Sequence, residues 1–249
     1  MPSQEDSFPD QQLGTFQTLV DIVARLRAPG GCPWDREQTH YSLKRHLLEE
    51  SYEVIEAIDQ GDPDRLSEEL GDLLVQIAFH ADIAREAGDF HLEEVLRKIN
   101  NKLVRRHPHV FSDGQAKNAR EVERNWEQIK AEERKEKGEI KSPVQGIPAD
   151  LPALAYAQLM QDRVGKAGFE WDDISGVLDK LVEEAAEFKA AITPEEKQHE
   201  LGDLLFSMVN LTRWAGAHAE DVLRQANQRF SKRYLGTVSY THLTLPTKA

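Results

Sequence analysis

An all-α fold is the class this sequence predicts, and three observations predict it. Apolar residues recur with a 3.6-residue period over most of the 249 residues, period-two alternation is scarce, and helix-start signals stand where the periodic stretches begin. The first half carries such stretches at residues 15–27, 39–59, 63–87, 92–105 and 121–137, and the second at 153–164, 174–191, 194–217 and 219–234. Between the halves, residues 138–152 hold Pro143, Gly146, Pro148 and Pro152 and read as a linker. Asp62-Pro63 and Thr193-Pro194 each offer a capping side chain followed by proline at the first helical position, and Glu196 completes a capping box with Thr193.

Composition narrows the function. The chain is 30% charged and 39% hydrophobic, enough to build a core, and its 31 basic and 44 acidic residues give a net charge of −13. A polyanion of this kind is a poor general binder of nucleic acid or of a membrane surface. The single cysteine, Cys32, excludes a disulfide framework and multi-cysteine metal sites. No apolar run reaches the ~18 residues of a spanning helix, and Met1 to Asp10 is polar and acidic, so a cytoplasmic protein without a secretory signal is expected. Residues 1–14 are expected to be disordered.

The halves repeat each other. Leu-Leu-Glu-Glu-Ser-Tyr-Glu at 47–53 matches Leu-Val-Glu-Glu-Ala-Ala-Glu at 181–187, and Glu-Leu-Gly-Asp-Leu-Leu at 69–74 recurs at 200–205. A repeat this long is a whole domain, whereas solenoid repeats are ~20–50 residues long. Domains at 15–137 and 153–235 follow, each with a helical hairpin bearing acids on both arms. In an antiparallel hairpin, residues whose numbers share a sum lie at one height. Glu50 therefore faces Asp72 and Glu53 faces Glu69, and likewise Glu184 faces Asp203 and Glu187 faces Glu200. The symmetry selects Glu50 and Glu184 over Glu49 and Glu183. On the helical wheel Glu69 and Asp72 sit between an apolar face of Leu66, Leu70, Leu73 and Ile77 and another of Val75 and Phe79. Leu201, Leu204 and Met208 on one side, with Phe206 and Val209 on the other, do the same for Glu200 and Asp203. Two carboxylates ~5 Å apart repel by about 3 kcal/mol at an effective dielectric of ~20, and cations are the natural remedy. All-oxygen ligands favour Mg²⁺, Mn²⁺ or Ca²⁺, and the fourth position of each acidic motif is Glu or Asp, never the His of a di-iron Glu-x-x-His, which argues against a di-iron bundle.

Gly-Cys-Pro-Trp-Asp (31–35), the paired acidic motifs, Arg-Arg-His-Pro-His-Val-Phe (105–111) and Asn-Trp-Glu-Gln-Ile-Lys (125–130) together resemble the MazG nucleoside triphosphate pyrophosphohydrolases over roughly residues 15–235. The resemblance implies an all-α homodimer that uses Mg²⁺, with Mn²⁺ as a substitute, to hydrolyse nucleoside triphosphates to monophosphate and pyrophosphate. It implies metal ligands at Glu184, Glu187, Glu200 and Asp203, the main centre, with counterparts Glu50, Glu53, Glu69 and Asp72. Phosphate contacts fall on Lys180, Asn227, Arg229 and Arg233, with N-terminal equivalents at Asn100, Lys102 and Arg106, and Trp126 is a candidate for stacking on the base. Forked guanidinium donors suit a triphosphate on an acidic protein. Lys232 and Arg105 read as helix C-terminal charges, and His107 and His109, flanking Pro108, as structural. Glu50 or Glu184 would also serve as base. The departure from the family lies at 236–249, which has threonine at 237, 241, 244 and 247, no acid and no helical period. A non-native, disordered tail is expected there, leaving the second repeat without the helix that would cover the nucleotide. No G-x-x-x-x-G-K-[ST] or dinucleotide fingerprint occurs. The competing reading is a non-catalytic helical module that binds metal or a regulatory nucleotide.

Overall fold

The computed structural model describes residues 8–136 and 142–243. All regular structure among them is helical, and the chain divides into two compact units, Met1–Glu133 and Arg134–Ala249.

In the first unit α1 (Asp10–Leu13) leads into α2 (Phe16–Arg27), where the Thr15 hydroxyl accepts from the Thr18 amide and caps the helix. A short α3 (Pro33–Arg36) forms within Gly-Cys-Pro-Trp-Asp. Gly31 is obligatory there, since a Cβ would stand 2.2 Å from the Leu26 carbonyl oxygen. α4 (His40–Gln60) starts with a Thr39/Ser42 capping box and ends at Gly61 in the left-handed region (φ 67°). Asp62 then caps α5 (Pro63–Ala87), so two residues turn the hairpin. α6 (Leu92–Arg106), α7 (Pro108–Phe111) and α8 (Ala119–Glu136) follow.

Val23 of α2, Leu43 of α4, and Ala78 and Phe79 of α5 make the buried centre, with Leu19, Val20, Val75 and Ile83 packed against it. A buried cation fastens α2 to α3 and α5. The Arg27 guanidinium donates to Asp82 at 3.0 Å, to Glu86 at 2.5 Å and to the Asp35 carbonyl at 2.6 Å. Arg85 also donates to Asp82, at 2.8 Å. A second cross-link joins the start of α4 to α5. The His40 and His80 rings lie within 5° of coplanar with Nδ1 atoms 2.7 Å apart, which fits one N–H···N bond in the ring plane.

The second unit runs through α9 (Ala153–Lys166), α10 (Ile174–Ala190), α11 (Pro194–Trp214) and α12 (Ala219–Leu243). Asp173 caps α10, and Thr193 and Glu196 form the expected capping box on α11. Ala191, Ile192 and Thr193 make the turn between α10 and α11. Gln158 of α9 donates to the Ala217 carbonyl and accepts from the Ala219 amide, pinning the α11–α12 corner, and Gln161 donates to the Phe206 carbonyl.

Two departures from the sequence reading have local causes. The N-terminal stretch expected to lack structure forms α1 at Asp10–Leu13, and the Thr18 hydroxyl donates to the Gln12 carbonyl beside it. Residues 1–7 lie outside those described, as do 137–141 of the expected linker. Helix α12 continues past Gly236 to Leu243, where an aperiodic tail was expected. Threonine and a lone glycine only weaken a helix by up to about 1 kcal/mol each, and the first proline of that stretch is Pro246. Residues 244–249 lie outside those described.

Candidate metal centres

Each hairpin gathers a trio of carboxylates. Glu50 of α4 with Glu69 and Asp72 of α5 can offer oxygens that all lie within 4.8 Å of one another. Glu184 of α10 with Glu200 and Asp203 of α11 repeat the arrangement. The arms are antiparallel neighbours and the acids recur at three-residue spacing, which brings them to one side. Burial separates Glu184 and Glu69, though not the exposed Asp72, from adjacent acids. Glu184 is 4% exposed and Glu69 8%, whereas Glu49 and Glu183 stand in solvent.

Glu53 and Glu187, the fourth acid of each expected set, fall outside the trios but act on them. Burial, then the charges of Asp72 and Glu53, push the Glu50 carboxyl above its ordinary value. Partial desolvation of its carboxyl, then Glu184 and Glu200, do the same to Glu187 although the residue is exposed, with Lys180 opposing. Two of the four facing pairs expected from the hairpin register, Glu50 with Asp72 and Glu187 with Glu200, thus interact, alongside the same-helix pairs Glu50 with Glu53 and Glu184 with Glu187. Acids held close enough to raise each other's proton affinity, with only oxygen donors, fit a hard divalent cation.

The resident cations differ between the units. Arg65, one turn before Glu69, donates to it at 3.1 Å and to Glu56 at 2.8 Å. In the second unit Lys180 sits on the other arm, with its ammonium 2.7 Å from Glu184 and 2.9 Å from Glu183. These partners, Glu184 first, hold its proton more tightly than usual. His199 lies 3.3 Å from Asp203. Arg65 and His199 escaped the sequence reading, although their four-residue offset from Glu69 and Asp203 is the signal that finds such partners.

The expected phosphate and base contacts are placed as follows. Asn100 and Lys102 are exposed on α6, and Asn227, Arg229 and Arg233 are exposed on α12. Arg106 donates to Glu133 of α8 at 2.6 Å, and its guanidinium lies 5.3 Å from the Trp126 ring centroid. Lys130 approaches that ring at 4.4 Å, so the indole expected to stack on a base carries two cations. Trp126 and Lys130 are one turn apart on α8, which explains half of this arrangement. His107 binds the Leu103 carbonyl through Nδ1 at 2.7 Å and contacts the His109 ring.

The apolar flanks of the acids are unequal. Phe79 and Val209 are buried, but Leu70, Leu74 and Ile77 on α5 and Leu201, Leu205 and Met208 on α11 are 40% to 59% exposed. The two-sided enclosure expected from the wheel is therefore corrected to a partial one, and on α11 even Phe206, on the flank of Val209, is 44% exposed. No helix among the described residues is long and apolar enough to cross a membrane.

The family model of the MazG nucleotide pyrophosphohydrolase domain matches residues 38–111 and 173–235, one match over each hairpin. A nucleoside triphosphate pyrophosphohydrolase/pyrophosphatase MazG of Thermotoga maritima is 49% identical over 220 residues, covering 88% of this chain and 84% of that one. A nucleoside triphosphate pyrophosphohydrolase of Escherichia coli strain K12 is 46% identical over 228 residues, covering 89% and 86%. The crystal structure of a mazG-related protein from Thermotoga maritima aligns with 46% of this chain and 98% of its own, at 29% identity and a TM-score of 0.41.

Proposed function

The chain belongs to the MazG nucleotide pyrophosphohydrolase family, and from that membership we propose that it hydrolyses nucleoside triphosphates to monophosphate and pyrophosphate, water attacking the α-phosphorus. The observation that carries this reading is the carboxylate trio built twice, once in each unit. Glu184, Glu187, Glu200 and Asp203 hold Mg²⁺, or Mn²⁺ in its place, and Glu50, Glu53, Glu69 and Asp72 do so in the first unit. When bound, such a cation supplies Lewis acidity toward the phosphoryl oxygens and screens the charge of the leaving pyrophosphate.

The protein groups divide the remaining work. Glu50 and Glu184 lie at equivalent positions and take the proton of the attacking water; burial and neighbouring acids make Glu50 the more basic carboxylate that this role needs. Lys180 exchanges Glu184 for a phosphate oxygen. Asn227, Arg229 and Arg233 on α12, and Asn100, Lys102 and Arg106 on α6, receive the remaining phosphate charge through forked or short-range donors. Arg106 gives up Glu133 to do so, which uncovers Trp126 for the base. The exposed leucines of α5 and α11 support a homodimer, since a soluble monomer rarely leaves so many apolar residues uncovered on adjacent turns.

Pyrophosphate release from a mixture of nucleoside triphosphates, with and without Mg²⁺, tests the activity. A wild-type chain that binds Mg²⁺ but releases no pyrophosphate would overturn it and leave the non-catalytic module. Sedimentation equilibrium tests the dimer, and a monomer at micromolar concentration would count against it.

A further inference from the structure

One turn beyond Asp72, α5 buries a polar side chain whose oxygen has no partner. Gln76 is 8% exposed, and its Oε1 is enclosed without a hydrogen-bond partner. An unmet buried acceptor is costly, and methionine or leucine would fill similar volume without that cost. The position follows Glu69 and Asp72 at helical spacing, on the side of α5 that bears the acids. Side chains on a helix lean toward its N-terminus, which directs position 76 toward the turn that carries Asp72.

The groups of the metal centre itself offer that oxygen no free proton. Glu50, Glu69 and Asp72 are acceptors like it. Arg65, the cation of this centre, already donates to Glu69, Glu56 and the Gln60 amide oxygen. What a metal centre brings is a set of water protons, because Mg²⁺ keeps several of its waters and neighbouring acceptors orient them.

We propose that Gln76 is a positioning residue of the first metal centre, its side-chain oxygen accepting a hydrogen bond from the hydration shell of the bound cation. This rests on the metal-binding reading given above. The equivalent residue of α11, one turn beyond Asp203, is Ser207, also buried but shorter. The two centres therefore hold the cation's waters differently, and the first makes the longer reach.

The test is a Mn²⁺ titration of the full chain, followed by electron paramagnetic resonance of free Mn²⁺, in an E187Q/D203N background that leaves only the first centre. Gln76→Met in that background should weaken Mn²⁺ binding about tenfold, the scale of lost outer-shell contacts, without lowering the melting temperature in EDTA. A competing account has a structural water shared with His80, whose buried Nε2 also lacks a partner one turn farther on. In that case Gln76→Met would lower the EDTA melting temperature and leave Mn²⁺ affinity unchanged, which overturns the proposal. If the background chain with Gln76 intact binds no Mn²⁺, the first centre is not a metal site and the functional reading for that unit fails with it. If it binds and Gln76→Met binds equally, the Gln76 assignment alone fails.

Discussion

The two units fasten their acid-bearing helix to the segment ahead of its hairpin partner by ion pairs of opposite polarity. In the first, the arginine comes from α2 and the acid, Asp82, from α5; in the second, Arg213 stands at the α11 position equivalent to Asp82 and pairs with Glu170, in the loop before α10, at 2.7 Å. Glu170 also accepts from the Trp214 indole and the Trp171 amide, and Arg213 above all keeps its carboxyl ionised below the usual range. What is common to both is the joint between helix and lead-in segment, whichever side supplies the charge. Burial differs: the Arg27 and Asp82 side chains are 4% and 2% exposed, those of Arg213 and Glu170 16% and 30%.

The largest expected difference between units lies in activity. On the expectation that the second centre is the main one, Asp203→Asn should lower pyrophosphate release at least about a hundredfold, beyond what outer-shell changes do. Asp72→Asn should lower it far less, and Glu183→Gln hardly at all. Equal losses from Asp72→Asn and Asp203→Asn would make the centres equivalent, and a dead Glu183→Gln would refute the hairpin geometry.

The ion pairs come next. Arg27→Leu leaves Asp82 buried without its main partner and should destabilise the first unit by about 3–5 kcal/mol. Arg213→Leu, at a half-open site, should cost about 1 kcal/mol or less. Urea unfolding of both variants measures the contrast, and similar losses would mean that burial does not separate the joints.

Cation linkage is smaller. Mg²⁺ at a hundredfold excess over its dissociation constant stabilises a binding unit by about 2.7 kcal/mol. Calorimetric scans in EDTA and in Mg²⁺ should therefore differ, and Glu50→Gln should remove the shift of the first unit only. Coincident wild-type scans would argue against preformed centres.

The smallest effect is on pH. Glu50 and Glu187 have carboxyls raised above 4.5, so the fold favours their protonated forms. Their contribution is present below 4.5 and is lost as pH rises through the raised folded values. In EDTA the melting temperature should carry this decline just above pH 4.5. It should be larger for the first unit, since Glu187 is open to solvent, and Mg²⁺ should suppress it. Glu50→Gln melts against pH isolate the first contribution; a slope unchanged by that substitution would assign it elsewhere.

Positions set by helical period were legible in the sequence. Glu50, Glu184, Glu69 and Asp203 could be selected, and Glu49 and Glu183 rejected, because one turn of helix separates partners whose register the hairpin dictates. The Arg27–Asp82 joint was not legible, since no local pattern ties residues 55 apart. Nor was the open flank at Leu70 and Leu201, because a wheel reports which residues are apolar and is silent on which neighbour covers them. The cations on Trp126 were missed for a similar reason: Arg106 arrives from another helix.

The hairpin turns carry a consequence for how such chains can change length. From Glu53 to the end of α4 there are seven residues, and from Glu187 to the end of α10 three, while both second arms begin six residues before Glu69 and Glu200. The shorter arm has lost four residues, close to the 3.6 of a full turn, and its turn has three residues where the other has two. A single inserted residue inside either arm would swing everything beyond it by ~100° and carry a carboxylate off its trio. Insertions and deletions in these arms are thus metered, like frames in a triplet code: lengths that change by whole turns keep the acids in phase, and the lengths between scramble them.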